Sequence, residues 1–149
     1  MITKLGKESL EKQIQDLQKE LERTYKQRNE AAAEGDLKEN SAYIFMGERA
    51  GVLQSQIDEA INDLKGCVIQ EPPTQCDVVC FGHRVSVHFH EDNRDLTITL
   101  VGKNDARLKP DWISIMSPIG EALLGKKKSD KVSVNGQTVT ITDISIGEI

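Results

Sequence analysis

The 149-residue sequence has few of the features that mark several large classes of protein. It has no apolar run long enough to span a bilayer, and residues 1–7 do not resemble a secretory leader, so we expect a cytoplasmic protein without membrane contact. Three cysteines without such a leader argue against a disulfide scaffold. Because the net charge is −5, unaided tight binding to duplex DNA is disfavoured, and a protein or metal partner is favoured.

Proline is absent from the first 70 residues, where apolar residues recur at helical spacing instead. One stripe consists of Leu10, Ile14, Leu17 and Leu21. A second stripe consists of Tyr43, Met46, Ala50, Leu53, Ile57, Ala60, Ile61 and Leu64. Two such stripes with a short break between them predict an antiparallel coiled-coil hairpin over residues 1–70. A dimerising coiled coil is the alternative interpretation of the same pattern.

The register of the predicted hairpin follows from its apolar pairs. Facing residues in an antiparallel hairpin have numbers with a constant sum, and this sum is 74 for Leu10 with Leu64 and for Leu17 with Ile57. Half of that sum places the turn near residue 37. The predicted tip therefore lies at about residues 35–39, at the far end of the two helices.

The predicted tip carries two carboxylates. Asp36 and Glu39 are three residues apart, so they share one face of a helix. Two hard oxygen ligands suit Mg²⁺, which takes its remaining ligands from water and phosphate. The same Asp-x-x-Glu spacing is also a capping box that would open the second helix after Gly35. Both interpretations are open, and the two roles are compatible.

Residues 75–149 have the sequence pattern of a small α+β domain. A stiff linker at residues 71–74, which contains two prolines, precedes them. Short β-type runs occur at Arg84–Phe89, Leu96–Val101, Trp112–Met116, Lys131–Val134 and Thr138–Ile146. Asn135-Gly136 predicts a two-residue hairpin turn, and residues 118–125 predict one short helix. The fold class is therefore α+β, with a helical hairpin followed by this domain.

Cysteines and histidines cluster between residues 76 and 90. Cys76, Cys80 and His83, with His88 and His90 nearby, suggest a zinc site, but the spacing lacks the tight pair of a zinc ribbon. Buried thiols and surface histidines are the favoured interpretation. We therefore expect no metal ion bound by these residues.

Residues 35–43, Gly-Asp-Leu-Lys-Glu-Asn-Ser-Ala-Tyr, resemble the tip of the bacterial transcript cleavage factors GreA and GreB. The resemblance resumes at residues 100–102, 113–119 and 122–126. It covers nearly the whole chain, and its segments occur in the family's order.

The resemblance implies that the hairpin enters the secondary channel of bacterial RNA polymerase, while a C-terminal domain of FKBP-like type docks outside through Ser117, Pro118 and Ile119. Asp36 and Glu39 would help to hold the second catalytic Mg²⁺ of the polymerase and its attacking water. Backtracked RNA would then be cut near its 3′ end. The protein would be a monomeric accessory factor without a cofactor of its own, and not an enzyme.

Two positions depart from the family pattern. Ala42 stands where an acidic residue is common, and Gly47 stands where a basic residue often guides the RNA 3′ end. Lys26, Arg28 and Arg49 are the candidate replacements for that cation. A non-cleaving regulator that occupies the same channel, or a coiled-coil adaptor, is the alternative function.

Overall fold

The computed structural model describes residues 1–33 and 41–149. In chain order the elements are α1 (Lys4–Ala33), α2 (Ser41–Lys65), β1 (His83–Phe89), β2 (Arg94–Val101), β3 (Trp112–Ser114), α3 (Pro118–Leu123), β4 (Lys131–Val134) and β5 (Gln137–Ile146). The predicted α+β class is confirmed. Within the described ranges, no helix is long and apolar enough to cross a membrane.

The chain divides into two compact units. Residues 8–66 form the helical unit, and residues 1–7 together with 67–149 form the sheet unit. The boundaries predicted from the sequence placed residues 1–7 in the hairpin and 71–74 in a linker. Backbone pairing joins residues 1–7 to the sheet unit: Ile2 donates to the Val68 carbonyl at 3.1 Å and accepts from the Gln70 amide at 3.0 Å.

The helical unit is an antiparallel pair of helices, as predicted. Arg28 of α1 contacts Tyr43 of α2, and Glu20, earlier in α1, pairs with Arg49, later in α2. The apolar stripes of the two helices are the buried ones, comprising Leu10, Ile14, Ala50, Leu53, Ile57 and Ala60. The predicted turn lies outside the described residues.

The sheet unit contains one five-stranded sheet in the order β3-β2-β1-β5-β4. All neighbouring strands are antiparallel except β2 and β3. Asn135 and Gly136 have positive φ angles of 49° and 79°, which confirms the predicted tight turn between β4 and β5. Strand β3 ends at Ser114, two residues before the predicted end, because the Met116 amide donates to the Ser114 hydroxyl and turns the chain towards α3.

The core of the sheet unit lies on one face of the sheet. Alternate residues of β1 and β5 are buried there, and Leu123 of α3 is fully buried against them. A bulge interrupts this alternation, since Ser86 pairs with Asp143 whereas Val87 pairs with Ile141. The extra residue returns Ile144 to the core face, so the strand bends without exposing its apolar side.

Helix α1 begins at a buried hydrogen-bond cluster in the sheet unit. The Thr3 hydroxyl accepts the Gly6 amide at 2.9 Å, which caps the helix. Asp105 is fully buried, and its carboxylate accepts the Thr3 hydroxyl at 2.7 Å, the Thr3 amide and the Gly102 amide. Because a buried carboxylate is tolerated only when it is hydrogen-bonded, these contacts are needed together.

Two helical glycines should respond oppositely to alanine. A Cβ on Gly6 would lie 1.7 Å from Asp105 Oδ1, whereas a Cβ on Gly51 of α2 would meet no atom within 4 Å. We expect Gly6→Ala to lower the free energy of unfolding by about 2 kcal/mol through overpacking. Gly51→Ala, the matched control, should raise it by about 1 kcal/mol through helix propensity. Urea unfolding followed by circular dichroism and Trp112 fluorescence measures both; equal stabilisation would contradict the Asp105 contact.

Candidate functional site

The predicted acidic tip, Asp36 and Glu39, lies outside the described residues, so its geometry is not given by the structure. The chemistry of the donor set fits Mg²⁺, because both side chains offer hard carboxylate oxygens. What the structure does describe is the end of the hairpin that borders the tip, namely the last turns of α1 and the first turns of α2.

Arg28 links the two helices at this end of the hairpin. Its Nη2 donates to the Tyr43 hydroxyl at 2.9 Å, and its Cζ lies 4.4 Å from the centroid of the Tyr43 ring. A guanidinium over an aromatic ring gains a cation–π attraction in addition to the hydrogen bond. The side chain of Arg28 is therefore fixed against α2.

Gly47 lies beside this guanidinium, at a distance where an added Cβ would make ordinary van der Waals contact. A Cβ on Gly47 would lie 3.4 Å from Arg28 Nε and 3.5 Å from Arg28 Cζ. Arg28 Nε is buried and has no hydrogen-bond partner among residues 1–33 and 41–149. Since a buried donor without a partner costs about 1–3 kcal/mol, the contact of Arg28 with α2 is only partly satisfied.

The other two candidate cations are placed differently. Arg49 forms an ion pair with Glu20, and the side chains of both residues are substantially exposed, at 47% and 40%. Lys26 lies on the exposed surface of α1, beside Tyr25 and Glu30 in a shallow depression. Of the three cations, Arg28 is the one held against the first turns of α2.

The predicted docking residue Ser117 has a structural role that the sequence pattern did not reveal. Its hydroxyl oxygen accepts the Gly120 amide at 3.1 Å and donates to the Ser114 carbonyl at 2.6 Å, so it caps α3. Pro118 follows as the first helical residue, where its missing N–H costs nothing. Local hydrogen bonds and the proline ring therefore fix the backbone of this part of the predicted docking segment.

Exposure around α3 differs from what the sequence suggested. Ile119, predicted to be the contact residue because helix starts lie near the surface, is half-buried and packs against the core. Met116, which sequence reasoning placed inside a strand, is 66% exposed. The sequence signal that would have predicted the exposure of Met116 is the Ser-x-x-Ser spacing of Ser114 and Ser117, because these serines end the strand before Met116.

His83 is fully buried and both of its ring nitrogens are hydrogen-bonded. Nδ1 accepts the Cys80 amide at 3.1 Å, and Nε2 lies 3.0 Å from the Pro73 carbonyl oxygen. Because a carbonyl only accepts, the network assigns the proton to Nε2 of a neutral imidazole. His83 therefore fastens the segment at 72–73 to the sheet unit and has no nitrogen available for a metal.

The two other histidines lie near each other at the end of β1. His88 Nδ1 lies 2.7 Å from Asp95 Oδ1, directly across the β1–β2 pair, and His90 Nε2 lies 2.6 Å from Thr140 Oγ1. Their rings are edge to face with centroids 5.2 Å apart. In the described part of the chain, no three His, Cys, Asp or Glu side chains are grouped to hold a metal ion.

Comparison with protein families assigns the chain. The model "Transcription elongation factor, N-terminal" matches residues 1–69, and the model "Transcription elongation factor, GreA/GreB, C-term" matches residues 73–147. This chain belongs to the GreA/GreB family of transcription elongation factors. The family suspected from the tip and α3 segments is thereby confirmed. The FKBP-like type of the C-terminal domain stays a prediction.

Individual relatives agree with this family. GreA of Syntrophomonas wolfei is 32% identical over 143 residues, which cover 95% of this chain and 90% of that protein. GreA of Rhodospirillum rubrum is 38% identical over 108 residues, covering 71% and 68%. Among solved structures, GreA factor homolog 1 (Gfh1) of Thermus thermophilus is 24% identical with a TM-score of 0.44, covering 96% of each chain.

The hydrogen bonds of His83 lead to a test of the metal prediction. We expect long-range ¹H–¹⁵N correlation spectra to show His83 protonated at Nε2 and unprotonated at Nδ1, because Nδ1 accepts the Cys80 amide. Elemental analysis of the purified protein should find no stoichiometric zinc. A proton on Nδ1, or one zinc per chain, would contradict this assignment.

Proposed function

We propose that this protein binds bacterial RNA polymerase, inserts its helical hairpin into the secondary channel, and stimulates cleavage of backtracked RNA by the polymerase. The observation that carries the proposal is the membership of the chain in the GreA/GreB family, and the carboxylate pair at the tip predicted from the sequence supports it. Binding is assigned to the sheet unit and the chemical contribution to the tip.

The dimensions of the hairpin support this division. Helix α1 has 30 residues, which at 1.5 Å per residue is about 45 Å. Since substrate sites are concave pockets, carboxylates at the end of a helical pair would act only when they are held against the active site of a partner. The rod carries these carboxylates to a site that lies deep within a larger molecule.

The proposed contribution of the tip is ligand donation. Asp36 and Glu39 would hold Mg²⁺ jointly with the polymerase and accept hydrogen bonds from the attacking water. When bound, Mg²⁺ supplies an activated water and neutralises charge at the phosphate. Because the polymerase keeps the reacting RNA and the catalysis, this protein is an accessory factor, acting in the bacterial cytoplasm beside the RNA 3′ end.

The alternative function is a non-cleaving regulator that occupies the same channel. Ala42 and Gly47 favour it, because they remove one negative and one positive charge from the family's tip pattern. The two functions share binding to polymerase and differ in the chemistry of the tip. Cleavage of RNA therefore separates them.

The tip is tested by Asp36→Ala and Glu39→Ala. Each should reduce Mg²⁺-dependent RNA shortening in stalled, backtracked elongation complexes by at least about tenfold, because the metal loses a ligand. Binding to polymerase should stay nearly unchanged, since the docking surface is elsewhere. Asp16→Ala, on the exposed face of α1, is the matched control and should cleave normally.

Each outcome of this assay has a distinct meaning. Undiminished cleavage by Asp36→Ala would contradict the metal role and leave the capping role. Normal binding without cleavage by the unaltered protein would favour the non-cleaving regulator.

The docking surface is tested at Met116 and Ile119. Met116→Asp should weaken binding to polymerase by about tenfold and reduce cleavage in parallel, because a charge would enter an apolar contact. Ile119→Asp should do the same, but circular dichroism must confirm its folding because Ile119 packs on the core. The matched control is Ile146→Asp, at a 48% exposed position on β5. Normal binding by folded Met116→Asp and Ile119→Asp would place the dock elsewhere.

A further inference from the structure

We propose that Asn135 is a site of spontaneous deamidation, and that its isoaspartyl product opens the β4–β5 hairpin. The inference is independent of the proposed function, because it concerns the chemistry of one turn in the sheet unit. Asn135 is the one asparagine in the sequence that a glycine follows. The other asparagines all precede residues that carry a side chain, and they are Asn29, Asn40, Asn62, Asn93 and Asn104.

The reaction is an attack within the main chain. The backbone nitrogen of Gly136 loses its proton and forms a bond to Cγ of Asn135, while the bond between Cγ and Nδ2 breaks. Nδ2 leaves with that proton as ammonia, and a five-membered imide remains. Water then opens the imide. Cleavage of the new bond to Cγ gives aspartate, and cleavage of the former peptide bond gives isoaspartate. Glycine favours the attack because it has no Cβ beside the nitrogen.

The structure leaves the reacting groups open. Asn135 and Gly136 are both exposed, and the ladder between β4 and β5 ends at the pair Val134 and Gln137. Among residues 1–33 and 41–149, no backbone carbonyl accepts a hydrogen bond from the Gly136 amide. A Cβ on Gly136 would meet no atom within 4 Å, so water reaches this side of the turn. The attacking nitrogen therefore has no backbone hydrogen bond to break before it reacts.

Asn93 provides an internal comparison in the turn between β1 and β2. It is exposed and has a φ of 47°, close to the 49° of Asn135. The next residue, Arg94, carries a side chain that packs over the Phe89 ring, and its backbone is paired with Phe89 in the sheet. Arg94 thus crowds and fixes the nitrogen that would attack Asn93. Two asparagines of similar backbone conformation and exposure should therefore react at different rates.

The two products have different effects on the hairpin. Isoaspartate adds one methylene group to the main chain of a turn that has only two residues. A turn of this length sets the register of its strands, here Val134 with Gln137 and Val132 with Val139. Val134 and Val139 are buried, so a change of register near the turn disturbs the core. Aspartate keeps the length of the main chain, and Asp-Gly fits the same type of turn.

The test stores the full-length protein in mildly alkaline buffer and follows its peptides by mass spectrometry. Conversion of amide to acid should be at least about tenfold faster at Asn135 than at Asn93. The rate should rise with pH, because the Gly136 nitrogen must lose its proton. An isoaspartyl methyltransferase should transfer labelled methyl groups to the same peptide. Asn135→Gly, the matched control, keeps a turn-compatible Gly-Gly pair and should abolish both signals at this position.

Urea unfolding followed by Trp112 fluorescence tests the effect on the hairpin. The isoaspartyl fraction should unfold at a lower urea concentration than the aspartyl fraction, and stored Asn135→Gly should unfold like fresh protein. Equal rates at Asn135 and Asn93 would overturn the site. A rate at Asn135 more than about tenfold lower in the folded protein than in urea would also overturn it, because the turn would then be protective. Identical unfolding of the two fractions would overturn the opening of the hairpin.

Discussion

The buried carboxylate of Asp105 is the constraint on which the start of the hairpin depends. It accepts hydrogen bonds from Thr3 and Gly102, which are 102 and three residues away in the chain, and the same Thr3 hydroxyl caps α1. Such a carboxylate is stable in the interior only while every partner is present. The requirement extends to Gly6 and Gly102, where an added Cβ would collide with the Asp105 carboxylate. The buried carboxylate of Asp105 thus restricts which residues fit in the N-terminal segment and in the loop after β2.

Arg28 at the other end of α1 contrasts with Asp105 in how completely it is satisfied. The oxygens of Asp105 receive donors from two residues, whereas the buried Nε of Arg28 has no acceptor in the described parts of the chain. Buried polar groups in folded proteins are nearly always paired, so a complete network indicates a structural role and an incomplete one calls for an explanation. The complete network of Asp105 therefore assigns this residue to folding.

Apolar periodicity predicts the helical pair and the strands, and the Asn135-Gly136 pair predicts the β4–β5 turn, because these features depend on neighbours in the sequence. It could not predict that Thr3 meets Asp105, since no local pattern relates residues 102 positions apart. Periodicity also predicted the wrong side-chain exposure near α3. Ser117 is a helix cap, and the exposed side chain is Met116, because a hydrogen bond to Ser114 ends the strand early. The tip carboxylates, Asp36 and Glu39, were identified by spacing and resemblance alone.

The two glycines of α2 show why composition is a weak guide to function here. Gly47 and Gly51 are one turn apart, and helix propensity assigns both the same cost. Around Gly51 there is open space, whereas Gly47 lies against the guanidinium of Arg28. A Cβ at Gly47 would be in ordinary van der Waals contact with that guanidinium, so alanine fits at both positions and the two sites differ only in what the added methyl group would touch.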